Sequence, residues 1–331
     1  MPAPPAAAPE QKDSIMRTAA LGSTGIRVPI LAMGAASLGS IYHPVSQRQA
    51  DDTVAAALAH GVNYFDVAPY YGYTKAEIAL GQALRGVPRA SYTLATKVGR
   101  YGDSDWDFSA AATRRSVKES LARLGTDYID IIQCHDVEYG DRAQLINEGL
   151  PALRDLRAQG VVRHIGITGY QLDFLEPLAV EQQVDTLMAY CTYTLQDRRL
   201  GMVAQRLNAA GIGVLNASPL GMGLLTANGA PGWHPAHQRV QQACRQVAQL
   251  CREFGENIAR VALQFALATA ARQGIASTVI GTASAENMLD NVAWCEQPLN
   301  GELLAHIDAL LAPVLNIGWD ILPGNGGKAS K

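Results

Sequence analysis

The chain has 331 residues, a formal net charge of -3 and 48% hydrophobic residues. A chain of this kind can bury a sizeable core, and its near-neutral balance offers no basic surface, which argues against nucleic acid as a main partner. No apolar run approaches the roughly 18 residues of a membrane span, so no membrane partner is expected. The first dozen residues, Met1 to Lys12, are mostly Pro and Ala without the basic start and apolar centre of a secretory signal. Residues 1–16 are expected to be a disordered tail, 17–323 one domain, and the Gly-rich end Gly324–Lys331 a second tail. The five cysteines, Cys134, Cys191, Cys244, Cys251 and Cys295, are scattered and form no C-x-x-C pair. That fits a reducing, cytoplasmic setting and no metal centre. Cys244 and Cys251 are seven apart in a helical pattern and should share its buried face.

Along the chain, Thr18 to Val28 has the pattern of a hairpin turned at Ser23-Thr24-Gly25. Short apolar runs then alternate with helical ones. Strands are predicted at Leu31–Gly34, Val62–Phe65, Tyr92–Lys97, Tyr128–Cys134, His164–Thr168, Thr186–Ala189, Gly213–Asn216 and Ser277–Ile280. Helices are predicted near Gln49–His60, Thr74–Leu84, Ala110–Leu124, Gln144–Gln159, Leu172–Leu178, Asp197–Ala210, Val240–Ala270, Ala285–Trp294 and Gly301–Leu311. This alternation indicates a parallel α/β architecture, either an open doubly wound sheet or a (β/α)8 barrel. After the first parallel strand, Gly34 is followed by Ala-Ala-Ser-Leu-Gly rather than a G-x-G-x-x-G fingerprint. That absence and the count of eight strands favour the barrel.

The stretch Gly61 to Gly72 reads Gly-Val-Asn-Tyr-Phe-Asp-Val-Ala-Pro-Tyr-Tyr-Gly. It sets Asp66 and Tyr71 just beyond a buried strand, on a loop stiffened by Pro69. Lys97 ends the next strand and His135 the one after. Singly, each has an ordinary explanation: a rim charge, a hydrogen-bonded histidine, a capping aspartate. Four such groups at adjacent strand ends lie where barrels carry their chemistry. A free phenol, with a pKa near 10, is a poor acid or base at neutral pH. A neighbouring ammonium favours its phenolate, so Lys97 should lower the pKa of Tyr71. Asp66 is the natural counter-ion for that ammonium. His135 can hydrogen-bond and orient a reacting oxygen. Proton transfer at oxygen suits carbonyl–alcohol interconversion, and the hydride must then come from or go to a cofactor.

The Asp66-x-x-x-x-Tyr71, Lys97 and His135 set resembles the catalytic tetrad of the aldo-keto reductases, in order, strand placement and flanking residues. The resemblance runs from Arg17 to about Pro313. It implies a (β/α)8 TIM barrel whose amino-terminal hairpin plugs the barrel bottom, and a nicotinamide cofactor lying across the strand ends. Within the family, Gly34-Ala-Ala-Ser-Leu-Gly-Ser, Cys134-His-Asp-Val-Glu-Tyr-Gly, Ala217-Ser-Pro-Leu-Gly-Met-Gly and Gly232-Trp-His-Pro-Ala are similar to the aldose 1-dehydrogenase group. The implied reaction is oxidation of an aldose at C1 to its lactone, L-galactose first, with L-fucose or D-arabinose as alternatives. The rival readings are an NADPH-dependent reductase of aldehydes or ketones and a non-catalytic, nicotinamide-sensing subunit.

The resemblance places Ser218, Leu220 and Gly221 near the cofactor pyrophosphate, and Gly281, Thr282, Asn287, Asp290 and Asn291 around its adenosine. Relatives specific for NADP carry Lys or Arg at positions that align with Gly281 and Asn287. Without a cation a buried 2′-phosphate is costly, so NAD is expected. At the nicotinamide end this chain departs from the common pattern. Ala217 replaces the stacking aromatic, Thr168-Gly169 the amide-binding pair, and Tyr190 the usual Gln. Rim residues suited to a sugar are Tyr42, His43, Trp106, Asp136, Trp233 and His234, although each on its own could simply anchor a loop. His234 and His237 lack a carboxylate partner in sequence, which disfavours a metal. A monomer or small homo-oligomer is expected.

Overall fold

Eight parallel strands close into a barrel in the computed structural model, which describes residues 16–319. The strands are β3 (Leu31–Gly34), β4 (Tyr64–Asp66), β5 (Thr93–Val98), β6 (Ile129–Cys134), β7 (Val162–Gly169), β8 (Thr186–Tyr190), β9 (Gly213–Ala217) and β10 (Ile275–Gly281). They pair in chain order, and β10 returns to β3 through Gly281↔Gly34. The expected (β/α)8 barrel is therefore the fold. The tails expected at residues 1–15 and 324–331 lie outside the described residues. Met16, counted in the first tail, is buried in the core cluster that holds Val62 and Phe65.

Helices cover the strands in the usual alternation. They include α1 (Gln47–Ala59), α2 (Lys75–Ala83), α3 (Ala110–Leu124), α6 (Leu172–Glu181), α7 (Arg199–Ala209), α10 (Ala285–Glu296) and α11 (Gly301–Leu311). The helix expected at Gln144–Gln159 starts as α4 (Arg142–Gln144) and passes through a π turn at Leu145–Gly149 into α5 (Leu150–Ala158). The single helix expected at Val240–Ala270 is two, α8 (Gln238–Glu253) and α9 (Ile258–Gln273). Gly255 adopts φ +70°, and the Asn257 side chain accepts from the Ala259 N–H at 2.9 Å to start the second helix. Cys244 and Cys251 are both buried, as their spacing implied. Among the described residues no helix is long and apolar enough to cross a membrane.

Alternation along each strand sorts side chains to the two faces. Ala32, Tyr64, Ala95, Ile131, Met188, Leu215 and Val279 fill the barrel interior. Ile132, Ile167 and Leu187 point outward into the layer shared with the helices. The hairpin of β1 (Thr18–Ala20) and β2 (Arg27–Pro29) closes the amino-terminal end. Its Leu21 and Val28 are fully buried against the interior cluster, and Ser23 N–H donates to Gly211 O at 2.8 Å. With the bottom plugged, the barrel interior opens at its carboxyl rim.

Backbone strain gathers at that rim. Ser40, Tyr73, Thr74, Asp136, Cys191, Ser218 and Met222 all have positive φ in loops that follow strands. Such residues persist only where the surroundings over-determine them. Backbone meets backbone closely where the loops after β3 and β4 cross. Gly72 has φ +61°, and a Cβ there would lie 2.2 Å from Gly39 O. Tyr71 is the neighbouring residue, so this glycine pair sets where the phenol stands. Gly72→Ala is expected to destabilise the fold by at least ~1–3 kcal/mol from the left-handed conformation alone, with further cost from the clash. Chemical denaturation checks this, and unchanged stability would mean that the two loops are free to separate.

Candidate active site

Asp66 closes β4 and Lys97 lies near the end of β5, so parallel registry brings the two side chains together. Lys97 is 1% exposed and Asp66 3%. The Lys97 ammonium donates to Asp66 Oδ1 and, at 3.0 Å, to Val67 O. Asp66 Oδ2 accepts from Gln133 Nε2 at 2.8 Å. An ion pair removed from water is retained only when its remaining polar atoms are satisfied, and here backbone and amide do that. Gln133 was not singled out in the sequence. The available signal was a polar side chain two residues beyond inward-facing Ile131, on the same strand face.

Tyr71 reaches this pair from the loop after β4. The Lys97 ammonium lies 4.7 Å from the centroid of its ring. The His135 ring is 5.5 Å from that of Tyr71 and nearly perpendicular to it, at 88°. Tyr71, Lys97, Asp66 and His135 thus share one corner of the rim. One expectation is overturned. Lys97 does act to lower the Tyr71 pKa, but burial is the larger effect, and the phenol is pushed up to about 12. Burial, then the charges of Lys97 and Arg100, hold His135 well below the ordinary histidine range, so its ring is neutral.

Beside this corner, Asp136 follows His135 in a left-handed conformation, φ +51°. It accepts from Arg100 Nη1, and its backbone N–H donates to Thr168 Oγ1 at 3.2 Å. Arg100 was also missed, although it stands only three residues past Lys97. Trp106 packs against Tyr139 at 5.6 Å. Tyr190 ends β8 with its ring 5.8 Å from Tyr170. The departure at Gly169 has a physical explanation, because a Cβ there would lie 2.1 Å from Glu138 Oε2. The Glu138 carboxylate fills that space and accepts from the N–H groups of Tyr170 and Gln171 at 2.5 and 3.3 Å. Burial, then the charge of Asp136, raises its pKa to about 7.

The remaining sugar candidates differ in their freedom. Tyr42 is 64% exposed and His43 is exposed. Trp233 is partly buried and stacks on His234 at 6.1 Å. The structure corrects His234 to a loop anchor. One ring nitrogen pairs with Gly221 O at 2.8 Å and the other accepts from Ala236 N–H at 3.1 Å, so neither is free for a sugar. His234 also meets Trp319 edge-on at 5.1 Å, and Trp319 stacks on Tyr170 at 5.6 Å. Trp319 escaped notice because it is distant in sequence from every strand end.

The expected cofactor residues occupy the next part of the rim. Gly34 and Gly281 are register partners, and neither projects a side chain over the edge. Ser218 and Gly221 bend the loop after β9 with φ +55° and +57°. Leu220 borders the same turn, with Leu225 N–H donating to its carbonyl at 3.0 Å. Thr282 Oγ1 accepts from Ser284 N–H at 3.1 Å, and Ser284 caps α10 through the Asn287 N–H at 3.2 Å. Asn287 and Asp290 are exposed and Asn291 is buried, one helical turn apart on α10. Side-chain-free strand ends beside a capped helix amino terminus fit a phosphate-bearing dinucleotide.

Comparison with known proteins places this geometry. The model of the Aldo/keto reductase family matches residues 30–312. An L-galactose dehydrogenase of Arabidopsis thaliana is 40% identical, covering 91% of this chain and 96% of that protein. A D-arabinose 1-dehydrogenase of Saccharomyces cerevisiae is 33% identical over 85% of this chain and 87% of its own length. Among solved structures, an aldo-keto reductase from Bacillus halodurans in its holo form superposes with a TM-score of 0.72 at 28% identity. It covers 89% of this chain and 96% of that one.

Breaking the buried pair on one side should be costly. Lys97→Met leaves a buried carboxylate uncompensated, with an expected loss of ~3–5 kcal/mol of stability. Adding Asp66→Leu should recover most of that stability. Denaturant titration of both variants tests this, and equal stability of the single and double variants would show that the charges are not coupled.

Proposed function

The chain belongs to the aldo/keto reductase family, and from that premise we propose that it oxidises an aldose at C1 to the sugar lactone with NAD, L-galactose being the leading substrate. The family is one of oxidoreductases working with a nicotinamide cofactor. The observation that carries the reading is the buried Lys97–Asp66 pair set against Tyr71 and His135 at one rim. Likeness to two sugar dehydrogenases supports an aldose as the substrate class.

When bound, the cofactor supplies the acceptor for the hydride that leaves C1. Tyr71 takes the proton of the anomeric hydroxyl, and Lys97, itself neutralised by Asp66, stabilises the phenolate that must be available to do so. His135, as a neutral imidazole, holds the same oxygen through a ring N–H. Trp106, Asp136 and Trp233, with Tyr42 and His43 at the outer edge, supply the aromatic faces and acceptors that a pyranose needs.

Ser218, Leu220 and Gly221 hold the pyrophosphate. Gly281, Thr282, Asn287, Asp290 and Asn291 surround the adenosine, and Thr168 and Tyr190 border the nicotinamide. Between Gly281 and Glu296 there is no Lys or Arg, and Glu286 and Asp290 add negative charge. A 2′-phosphate would find no partner there, which supports NAD over NADP. The expected outcome is reduction of NAD by L-galactose, L-fucose or D-arabinose, with kcat/KM for NADP lower. Preference for NADP, or turnover only of carbonyls, would replace this reading with a reductase. Cofactor binding without any turnover would replace it with a sensor.

The proton ledger predicts a direction with pH. A phenol pushed up to about 12 is almost wholly protonated at neutral pH. The phenolate fraction then rises about tenfold per pH unit. Sugar oxidation should therefore quicken as pH rises from neutral, and carbonyl reduction, which needs the phenol, should not. Tyr71→Phe should lower kcat by about 10²–10⁴-fold while cofactor binding, read by fluorescence quenching, stays near that of the native chain. Retained turnover in that variant would remove Tyr71 from the mechanism.

A further inference from the structure

Arg100 lies just past β5, sandwiched in the rim. Its guanidinium is 3.8 Å from the centroid of the Tyr70 ring and 4.8 Å from that of Trp106. One arm donates to Asp136 Oδ2 and its Nε to Gly102 O at 3.4 Å. The same carboxylate oxygen stands 3.8 Å from His135 Nε2. Asp136 has little freedom to move away, since its backbone is held in a left-handed conformation and bonded to Thr168. The pair is 13% and 4% exposed at its side chains, so water does little to screen it.

Around the imidazole, β5 contributes Lys97 and the loop after it Arg100. The loop after β4 contributes the Tyr70 and Tyr71 rings at 6.0 and 5.5 Å, and the loop after β6 contributes Asp136. Asp66, the other carboxylate of this corner, is already committed to Lys97 and Gln133. Asp136 is therefore the one carboxylate within ion-pair reach of the His135 ring among the described residues, and Arg100 neutralises it.

We infer that Arg100 is a positioning residue for this site. By pairing with Asp136 it keeps that carboxylate from drawing a proton onto His135, so the imidazole stays neutral and free to hold the reacting oxygen. The role rests on the reading of His135 given above, in which its ring faces the anomeric oxygen. Without the guanidinium, a buried carboxylate would be left unpaired 3.8 Å from a titratable base. Such a group recovers its balance by sharing a proton with that base, and the proton then belongs to the coupled pair. A proton so held swings the imidazole toward Asp136 and away from Tyr71, and it adds a second positive charge beside Lys97.

The test is 15N NMR of histidine-labelled full-length protein, without substrate, across about pH 5–8, the window in which histidine ordinarily titrates. The His135 signal is identified by its loss in His135→Gln. In the native chain the ring should remain neutral down to about pH 6, below the ordinary histidine value near 6.5. In Arg100→Gln it should take up a proton at or above that ordinary value. Arg100→Lys, which restores the charge, should return it to neutral, as should Arg100→Gln combined with Asp136→Asn. In steady-state kinetics kcat of Arg100→Gln should fall toward acid more steeply than that of the native chain, with the double variant returning to the native slope.

A native ring already charged at about pH 6 would overturn the inference. So would an Arg100→Gln ring as neutral as the native one, or a double variant that protonates as readily as the single. Should Arg100→Gln fail to fold, the native, Arg100→Lys and double-variant titrations still decide it. Because the NMR readout needs no sugar, absence of aldose turnover would defeat the proposed function without touching this result.

Discussion

A lysine ammonium excluded from water organises the rim of this barrel. Lys97 gives one N–H to Asp66 and another to Val67 O, and it turns its remaining face to the Tyr71 ring. Asp66 in turn takes the Gln133 amide. The consequence is that β4, β5 and β6 are tied at their carboxyl ends through charge as well as through backbone pairing. A buried ion pair contributes little net stability unless every donor and acceptor is met, so its value here lies in fixing where a cation stands. Everything next to Tyr71 is arranged against that cation.

A second ionic cluster, built on the buried carboxylate of Asp130, illuminates the first. At the amino-terminal end of the barrel, Asp130 accepts from Arg89, Arg163 and the Leu94 N–H at 2.6, 3.0 and 2.9 Å. The Tyr128 ring lies between the two guanidiniums, 3.9 and 3.8 Å from them. That cluster is saturated and serves to hold strands and the loop before β5 together. At the rim, by contrast, Asp136 takes a single guanidinium, that of Arg100.

Burial and charge also compete at each titrating group of the rim. For Tyr71 burial outweighs the ammonium, and the phenol is kept protonated. For His135 burial and the two cations act in the same direction, and the ring is kept neutral. The corner therefore presents one proton donor of high pKa and one neutral hydrogen-bonding ring, beside a cation that stabilises the phenolate once it forms. That division of labour suits chemistry at a single oxygen, in either direction, with pH deciding which is favoured.

Much of this was legible in one dimension. Eight apolar runs at barrel spacing, a hairpin before them, and Asp66, Tyr71, Lys97 and His135 at successive strand ends are local patterns, because strand periodicity and turn residues depend on near neighbours. The break between α8 and α9 was also written locally, in Gly255 and Asn257, but a continuous apolar pattern masked it. What lay outside the sequence was every property that depends on which loops cross and how deeply a group is buried. Gln133 and Arg100 became part of the site only once β6 and the loop after β5 were packed against it. Glu138 explains Gly169 only through space, and His234 turned from sugar candidate to loop anchor when Gly221 O was found beside its ring. The sign of the Tyr71 shift was likewise decided by the tertiary structure. The order of residues showed that an ammonium would stand nearby, but the cost of desolvating a phenol is set by everything that surrounds it.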